Sequence, residues 1–176
     1  MKKFLILMIS VGILSCANNK TEQVSTIKIK DEKAQKISKM MESYVNNNFD
    51  SSIISDDAKI KFNQLEMTKT DFENLVTTHH AMFNEISFPE GWMETVNYIG
   101  ADVKNAGGKY ADDYGSTWTS HWSDWTAVSK ISGDTISNHC FFGYKWENDK
   151  IVEVSAIFPD EAFNKELAMF MEANKK

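Results

Sequence analysis

The sequence predicts a single α+β domain in which helices come first and an antiparallel sheet follows. Two observations carry this prediction. Two amphipathic helical segments fall before residue 90, and three segments rich in β-branched and aromatic residues fall between residues 116 and 158. With 176 residues, 42% of them hydrophobic, the chain is long and apolar enough to bury one core.

The first helix is predicted over Asp31–Phe49. Asp31 and Glu32 suit its N-terminal end, where the helix dipole favours negative charge. Its apolar side chains recur at helical spacing and form one stripe: Ile37, Met40, Met41, Tyr44 and Val45. After a turn-rich stretch, Ala58–Asn63 alternates as a strand does.

The second helix is predicted to begin at a capping box formed by Thr70 and Glu73 and to run to about Ile86. Pro89 and Gly91 then interrupt the chain. The stripe that should face the sheet is Phe72, Leu75, Val76, His79 and Phe83.

The remainder of the chain is predicted to be mainly β-structure. Residues 101–115 indicate a loop or lid, and Pro159-Asp160 indicates the start of a last helix. The predicted strands are Trp92–Ile99, Ser116–Lys130, Thr135–Trp146 and Ile151–Phe158.

The N-terminus is typical of an export signal. Met1-Lys2-Lys3 is followed by an apolar run to Leu14 that is too short to span a bilayer. Ile13-Leu14-Ser15-Cys16 resembles a lipobox, which predicts a lipid on Cys16; an ordinary cleaved signal with a free thiol is the alternative. The predicted organisation is a signal peptide over 1–15, a flexible tether over 16–30 and one domain over 31–176.

Charge and anchor together indicate where the protein acts. Without Lys2 and Lys3 the chain has 17 basic and 25 acidic residues, a net charge of −8, which disfavours nucleic acid as a partner. A lipid on Cys16 predicts a bacterial envelope lipoprotein, and Ala17 favours the outer membrane with the domain facing the periplasm.

Three segments resemble the nuclear transport factor 2-like superfamily in its SnoaL-like bacterial branch. They are Asn48–Ile60, the tryptophan-rich stretch Trp118–Trp125, and the hairpin Tyr144–Glu153. The resemblance implies a cone-shaped fold, in which N-terminal helices pack into a curved antiparallel sheet around a pocket. Asp149, Pro159 and Phe141 depart from the family's usual residues.

Such a fold leaves function open, because the superfamily contains isomerases, dehydratases and cyclases as well as non-enzymatic binding proteins. The favoured prediction is a non-catalytic pocket for a small, largely apolar ligand. The alternatives are a cofactor-independent acid–base enzyme, of isomerase or dehydratase type, and a partner-binding module that exposes tryptophan on the outer sheet and has a filled cavity. A homodimer is possible, and neither cofactor nor metal is expected.

Four residues are candidates for acid–base catalysis: His79, His121, Asp124 and His139. For His79, a hydrogen-bonded core histidine is the favoured interpretation and a general base in the pocket the alternative. His121 and Asp124, three apart on a strand, should point to opposite faces, and His139 on the next strand could lie near His121.

The candidate ligand-binding residues are Trp118, Trp122, Trp125, Phe141 and Tyr98. Strand parity puts Trp118 and Trp122 on one face with Asp124, and Trp125 on the other face with His121. Parity alone leaves open which face lines the pocket. Cys140 is predicted to be a small buried residue.

Overall fold

The computed structural model describes residues 25–89, 91–108 and 112–175. The predicted signal, its lipid site at Cys16 and most of the predicted tether lie outside these residues. The elements are β1 Thr26–Ile29, α1 Glu32–Val45, β2 Ile54–Phe62, β3 Leu65–Met67, α2 Lys69–Met82, β4 Phe83–Ser87, β5 Trp92–Asn97, α3 Ala101–Asn105, β6 Thr117–Ser129, β7 Thr135–Glu147, β8 Lys150–Ile157 and α4 Glu161–Ala173. Within the described ranges, no helix is long and apolar enough to cross a membrane.

All the described strands belong to one sheet with the order β1-β5-β6-β7-β8-β2-β3. β6 and β7 form its centre as a long antiparallel hairpin, and β2 runs parallel to β8. The same edge of β6 pairs with β5 along one half and with β4 along the other. This curved sheet with helices packed on it confirms the predicted α+β architecture.

Alternation along the two central strands defines the faces of the sheet. On β6 the odd-numbered residues from Thr119 to Ser129 are buried, and on β7 the even-numbered residues from Ile136 to Trp146 are buried. We call this the inner face, since its side chains form the core with the helices, and the opposite one the outer face. The large side chains of the inner face include Trp125, Phe142 and Tyr144.

A buried chain of hydrogen bonds joins the sheet to the start of α1. The indole Nε1 of Trp146 donates to Oγ1 of Thr119 (2.9 Å), which lies 2.9 Å from Oγ1 of Thr95, which donates to Oδ1 of Asp31 (2.8 Å). Asp31 also caps α1, because the same oxygen accepts from the amide of Ala34. The chain fixes the helix relative to three strands.

Both ends of α2 differ from the sequence-based prediction. Thr68, not Thr70, caps α2, and Asp71 completes the capping box. Thr68 holds the extended backbone that a cap requires, and both Ser/Thr-x-x-acid spacings satisfy the same pattern. The helix also ends at Met82, because Phe83 is already extended and pairs with Ser129 of β6.

Two segments predicted to be irregular are partly regular. Thr26–Ile29 falls within the predicted tether but pairs with β5 as an edge strand. Ile27 and Ile29 alternate with polar residues, but all four residues are exposed and the alternation is too short to predict a strand in a polar segment. Ala101–Asn105, in the predicted loop or lid, is a short helix.

Candidate ligand-binding site

A cavity of about 180 Å³ lies between the inner face of the sheet and three helices. Most of its wall is apolar, which suits a ligand with little polar surface. The apolar and sulfur-containing lining residues are Met41, Phe49, Phe62, Leu65, Met67, Phe72, Leu75, Val76, Phe88, Trp125, Cys140, Phe142, Phe158 and Phe163. The more polar ones are Tyr44, Asn63, His79, Asn138, Asp160 and Asn164.

Helical spacing explains how α2 contributes one wall. Phe72, Leu75, Val76 and His79 lie at i, i+3, i+4 and i+7, so they share one face of the helix, and all four line the cavity. These four belong to the stripe that the sequence predicts, whose fifth member, Phe83, lies in β4 instead. The stripe places His79 among aromatic neighbours. The ring centroid of Phe163, from α4, lies 5.1 Å from that of His79.

Three polar side chains are linked at the cavity wall. The indole Nε1 of Trp125 donates to the hydroxyl of Tyr44 (2.8 Å), and that hydroxyl lies 2.7 Å from Nδ1 of His79. An indole nitrogen can only donate, so the tyrosine oxygen accepts from Trp125. Its own proton is then free to be donated to His79.

The protonation state of His79 follows from this arrangement. Burial, together with the neighbouring His80, lowers the pKa of His79 to about 4, so its ring is neutral at pH 7. Burial also raises the pKa of Tyr44, so its hydroxyl keeps its proton. A neutral ring whose Nδ1 accepts from Tyr44 carries its own proton on Nε2.

Polar groups surround one end of the cavity. The amide of Asn63 donates to the carbonyl of Phe158 (2.9 Å) and to the carboxylate of Asp160 (3.4 Å). Its oxygen accepts from the amide of Phe158 (3.1 Å). These bonds fix the chain between β8 and α4, where Asp160 is exposed.

His121 lies on the inner face but does not line this cavity. It is 2% exposed, and its ring stacks on Phe142 and lies against Phe88, both of which do line the cavity. Burial lowers its pKa to about 4, and its Nδ1 has no hydrogen-bond partner in the described part of the chain. His121 therefore contacts residues of the cavity wall without itself lining the cavity.

Asp124 and His139 form a pair on the outer face. Oδ1 of Asp124 lies 2.7 Å from Nδ1 of His139, and their side chains are 43% and 74% exposed. His139 is thus opposite Asp124 in the register, and not beside His121, whose partner is Phe142. Across the described ranges, no group of three potential ligands could hold a metal ion.

Of the five candidate ligand-binding residues, only Trp125 lines the cavity. Trp118, Trp122 and Phe141 have the opposite strand parity and lie on the outer face, away from the cavity. Tyr98 follows β5 and also lies away from the cavity.

The outer face carries a row of apolar side chains across four strands. Trp92, Trp122, Phe141 and Ile157 are successive partners in the register, and we call them the outer row. Trp92, Trp122 and Ile157 are 49%, 45% and 64% exposed. The rings of Trp122 and Phe141 are 4.5 Å apart.

Tyr44, Asn138 and Phe142 are cavity residues that the candidate set omitted. Tyr44 belongs to the predicted apolar stripe of α1, so that pattern already places it towards the sheet. Asn138 and Phe142 share strand parity with buried residues of β7. Which parity faces inward follows only from the packing of the helices.

Comparison with solved structures identifies the fold. A candidate polyketide cyclase from Xanthomonas campestris pv. campestris superposes with a TM-score of 0.53 at 8% identity, covering 78% of this chain and 96% of that one. An NTF2-like protein of unknown function from Burkholderia pseudomallei gives 0.52 at 9% identity, covering 77% and 96%. AclR, a candidate hydroxylase from Streptomyces galilaeus, gives 0.51 at 14%, covering 78% and 96%.

The fold is that of the nuclear transport factor 2-like proteins. No family model matches the sequence, and no curated protein does either. At these identities the likeness establishes the nuclear transport factor 2-like fold alone, and the chemistry must be argued from the cavity.

Proposed function

We propose that the domain binds a small, largely apolar molecule in its cavity without transforming it. The observation that carries this proposal is the cavity itself: an apolar chamber of about 180 Å³ with a fixed polar group, His79, in its wall. Pockets that bind small molecules typically combine an apolar lining with a few positioned polar groups.

Catalysis has less support from the same residues. An acid–base enzyme needs at least two suitable groups within reach of one point, and of the four candidates only His79 lines the cavity. His79 also lacks a free lone pair there, because its Nδ1 is bonded to Tyr44 and its Nε2 carries the proton. A general base with neither nitrogen free is not in a state to take a proton from a ligand.

The partner-binding alternative requires two structural features, and only one of them is present. It requires exposed tryptophan on the outer face, which the outer row supplies, and a filled cavity, which the structure does not have. The open cavity is the feature that this alternative leaves without a role.

Binding can be tested with an apolar probe and a cavity-filling variant. Methylenecyclohexane should raise the Tm of the purified full chain, because a ligand that binds only the folded state stabilises it. Leu75→Trp, in the cavity wall, should abolish the increase. The matched control is Ile157→Trp, in the outer row, which should leave it intact. An equal increase in both variants would place the probe elsewhere.

The location is proposed from the sequence. We propose that lipid on Cys16 anchors the protein in the bacterial envelope, with the outer membrane preferred and the domain facing the periplasm. Cys16→Ser should remove the acyl chains, so the mature protein should lose the mass of the lipid in intact mass spectrometry of the membrane fraction. A mass difference that equals the Cys-to-Ser substitution alone would show that Cys16 is not lipidated.

A further inference from the structure

We propose that the N–H group at Nε2 of His79 is a hydrogen-bond donor that selects neutral ligands carrying a carbonyl oxygen. This inference rests on the proposed function, since it names the ligand class of the same cavity. The juxtaposition that carries it is a histidine whose other nitrogen is bonded to Tyr44 inside a largely apolar wall.

The direction of two hydrogen bonds determines which nitrogen of His79 carries the proton. Trp125 donates to Tyr44, and Tyr44 donates to Nδ1 of His79. No other acceptor for the Tyr44 proton occurs among the described residues, so the reverse order would leave a buried hydroxyl proton unbonded. Such a proton is costly in an apolar environment. His79 therefore presents N–H and not a lone pair.

The nitrogen left over is available to a ligand. His79 lines the cavity, and its Nε2 has no protein partner within the described ranges. Unlike Nδ1 of His121, it is not sealed from solvent. An N–H group in this position gains a bond when a ligand brings an acceptor, and gains nothing from a hydrocarbon.

Charge narrows the ligand class further. No lysine is among the residues that line the cavity, and the chain has no arginine, so nothing would pair with a buried carboxylate. The carboxylate in the lining, Asp160, lies at the rim and would repel an anion. A neutral ketone, aldehyde or ester supplies the acceptor without a charge.

Asn138 is the competing donor. It is 6% exposed, lines the cavity, and its side-chain amide makes no hydrogen bond to other described residues. It is the register partner of Trp125, so it lies on the same wall. Because an amide offers both a donor and an acceptor, Asn138 alone would not favour a carbonyl over a hydroxyl.

The test compares three probes of similar shape. Cyclohexanone and methylenecyclohexane differ only in carbonyl oxygen against methylene, and cyclohexanecarboxylate adds a charge. With the full chain in lipid nanodiscs, and empty nanodiscs as the blank, the ketone should bind about three- to tenfold more tightly than the alkene, as one neutral hydrogen bond predicts. The carboxylate should bind more weakly than both. The carbonyl stretching frequency of bound cyclohexanone should fall relative to an apolar solvent.

Variants assign the donor. His79→Phe should remove the preference and the frequency shift, whereas His79→Gln, whose amide can replace Nε2–H, should retain part of both. His80→Gln is the matched control, since the ring of His80 bonds to the backbone oxygen of Tyr44. Asn138→Leu tests the competing donor: binding of all three probes can change in this variant, but the preference for ketone over alkene should persist if His79 is the donor. Nitrogen NMR of labelled histidine in the wild-type protein should show the Nε2–H form of His79. This measurement does not depend on the folding of any variant.

Each contrary result overturns a different claim. Equal binding of ketone and alkene would overturn the carbonyl selection while leaving an apolar pocket, and so the proposed function, in place. Loss of the preference in Asn138→Leu but not in His79→Phe would reassign the donor. An Nδ1–H form of His79 would overturn the inference outright. Failure of every probe to bind would instead count against the proposed function.

Discussion

The indole Nε1 of Trp125 donates a 2.8 Å hydrogen bond to the hydroxyl of Tyr44, which ties the centre of the sheet to the first helix. Both side chains line the cavity, so the bond that holds these layers together also shapes the binding site. The same hydroxyl contacts His79 on the second helix. One tyrosine oxygen therefore joins three elements of the fold.

Trp125→Phe should destabilise the protein by about 1–3 kcal/mol, because it removes this donor and leaves space in the core. Trp122→Phe, the same change on the outer face of the same strand, should alter stability by less than about 0.5 kcal/mol. Urea unfolding measures both. Similar midpoints for the two variants would mean that the bond to Tyr44 contributes nothing to stability.

The buried chain of hydrogen bonds from Trp146 to Asp31 should stabilise the fold, and Thr119 is the residue at which to test it. Thr119→Val keeps the shape of the side chain but leaves the indole proton of Trp146 without an acceptor, so it should cost about 1–3 kcal/mol. Thr135→Val, at an exposed position on β7, is the control and should be nearly neutral. If chemical denaturation gives equal stabilities for both variants, the chain of hydrogen bonds is not a stabilising feature.

The sequence predicts the main helices and the β-hairpins because their apolar periodicity is strong. It fails where that signal is weak or ambiguous. β1 has four exposed residues and owes its structure to its partner β5. β4 follows α2 with no intervening turn, so the sequence gives no sign that the helix has ended and the predicted helix includes most of this strand.

The cavity residues on α2 can be predicted from local patterns. Those on the sheet cannot, because they depend on which face of the sheet the helices cover. The stripe of α2 places His79 inward without any tertiary information. On β6, parity correctly separates Trp125 from Trp118 and Trp122, but both faces carry tryptophan. Composition therefore cannot say which set is buried, and only the packing of Tyr44 against Trp125 decides it.

Acid should weaken the fold between about pH 6.5 and pH 4. His79 and His121 each have a pKa near 4 when folded and 6.5 in the unfolded chain. Over that interval both histidines bind protons in the unfolded state but not in the folded state. Their contribution to the free energy of unfolding is therefore fully present above pH 6.5 and is lost as the pH falls towards 4. For His121 the full shift corresponds to about 3 kcal/mol.

Urea unfolding at several pH values across this interval measures the effect. His121→Asn and His79→Gln should each flatten the dependence of the unfolding free energy on pH. The buffered range stays above the pKa of acidic residues such as Asp50 and Asp71, whose hydrogen bonds hold their pKa values below normal. A variant that keeps the full slope of the wild type would show that its histidine does not stay neutral in the folded state.

The last helix is held by a buried carboxylate. Glu166 is 3% exposed and accepts hydrogen bonds from Oγ of Ser129 (2.5 Å) and Oγ of Ser132 (2.9 Å). Glu166→Ala should cost about 1–3 kcal/mol and speed hydrogen exchange throughout α4, because the helix loses its polar link to the sheet. Binding of methylenecyclohexane should also weaken, since Phe163 of α4 lines the cavity. Glu172→Ala, exposed on the same helix, should exchange at the wild-type rate; equal acceleration in both variants would mean that α4 is held by its apolar face alone.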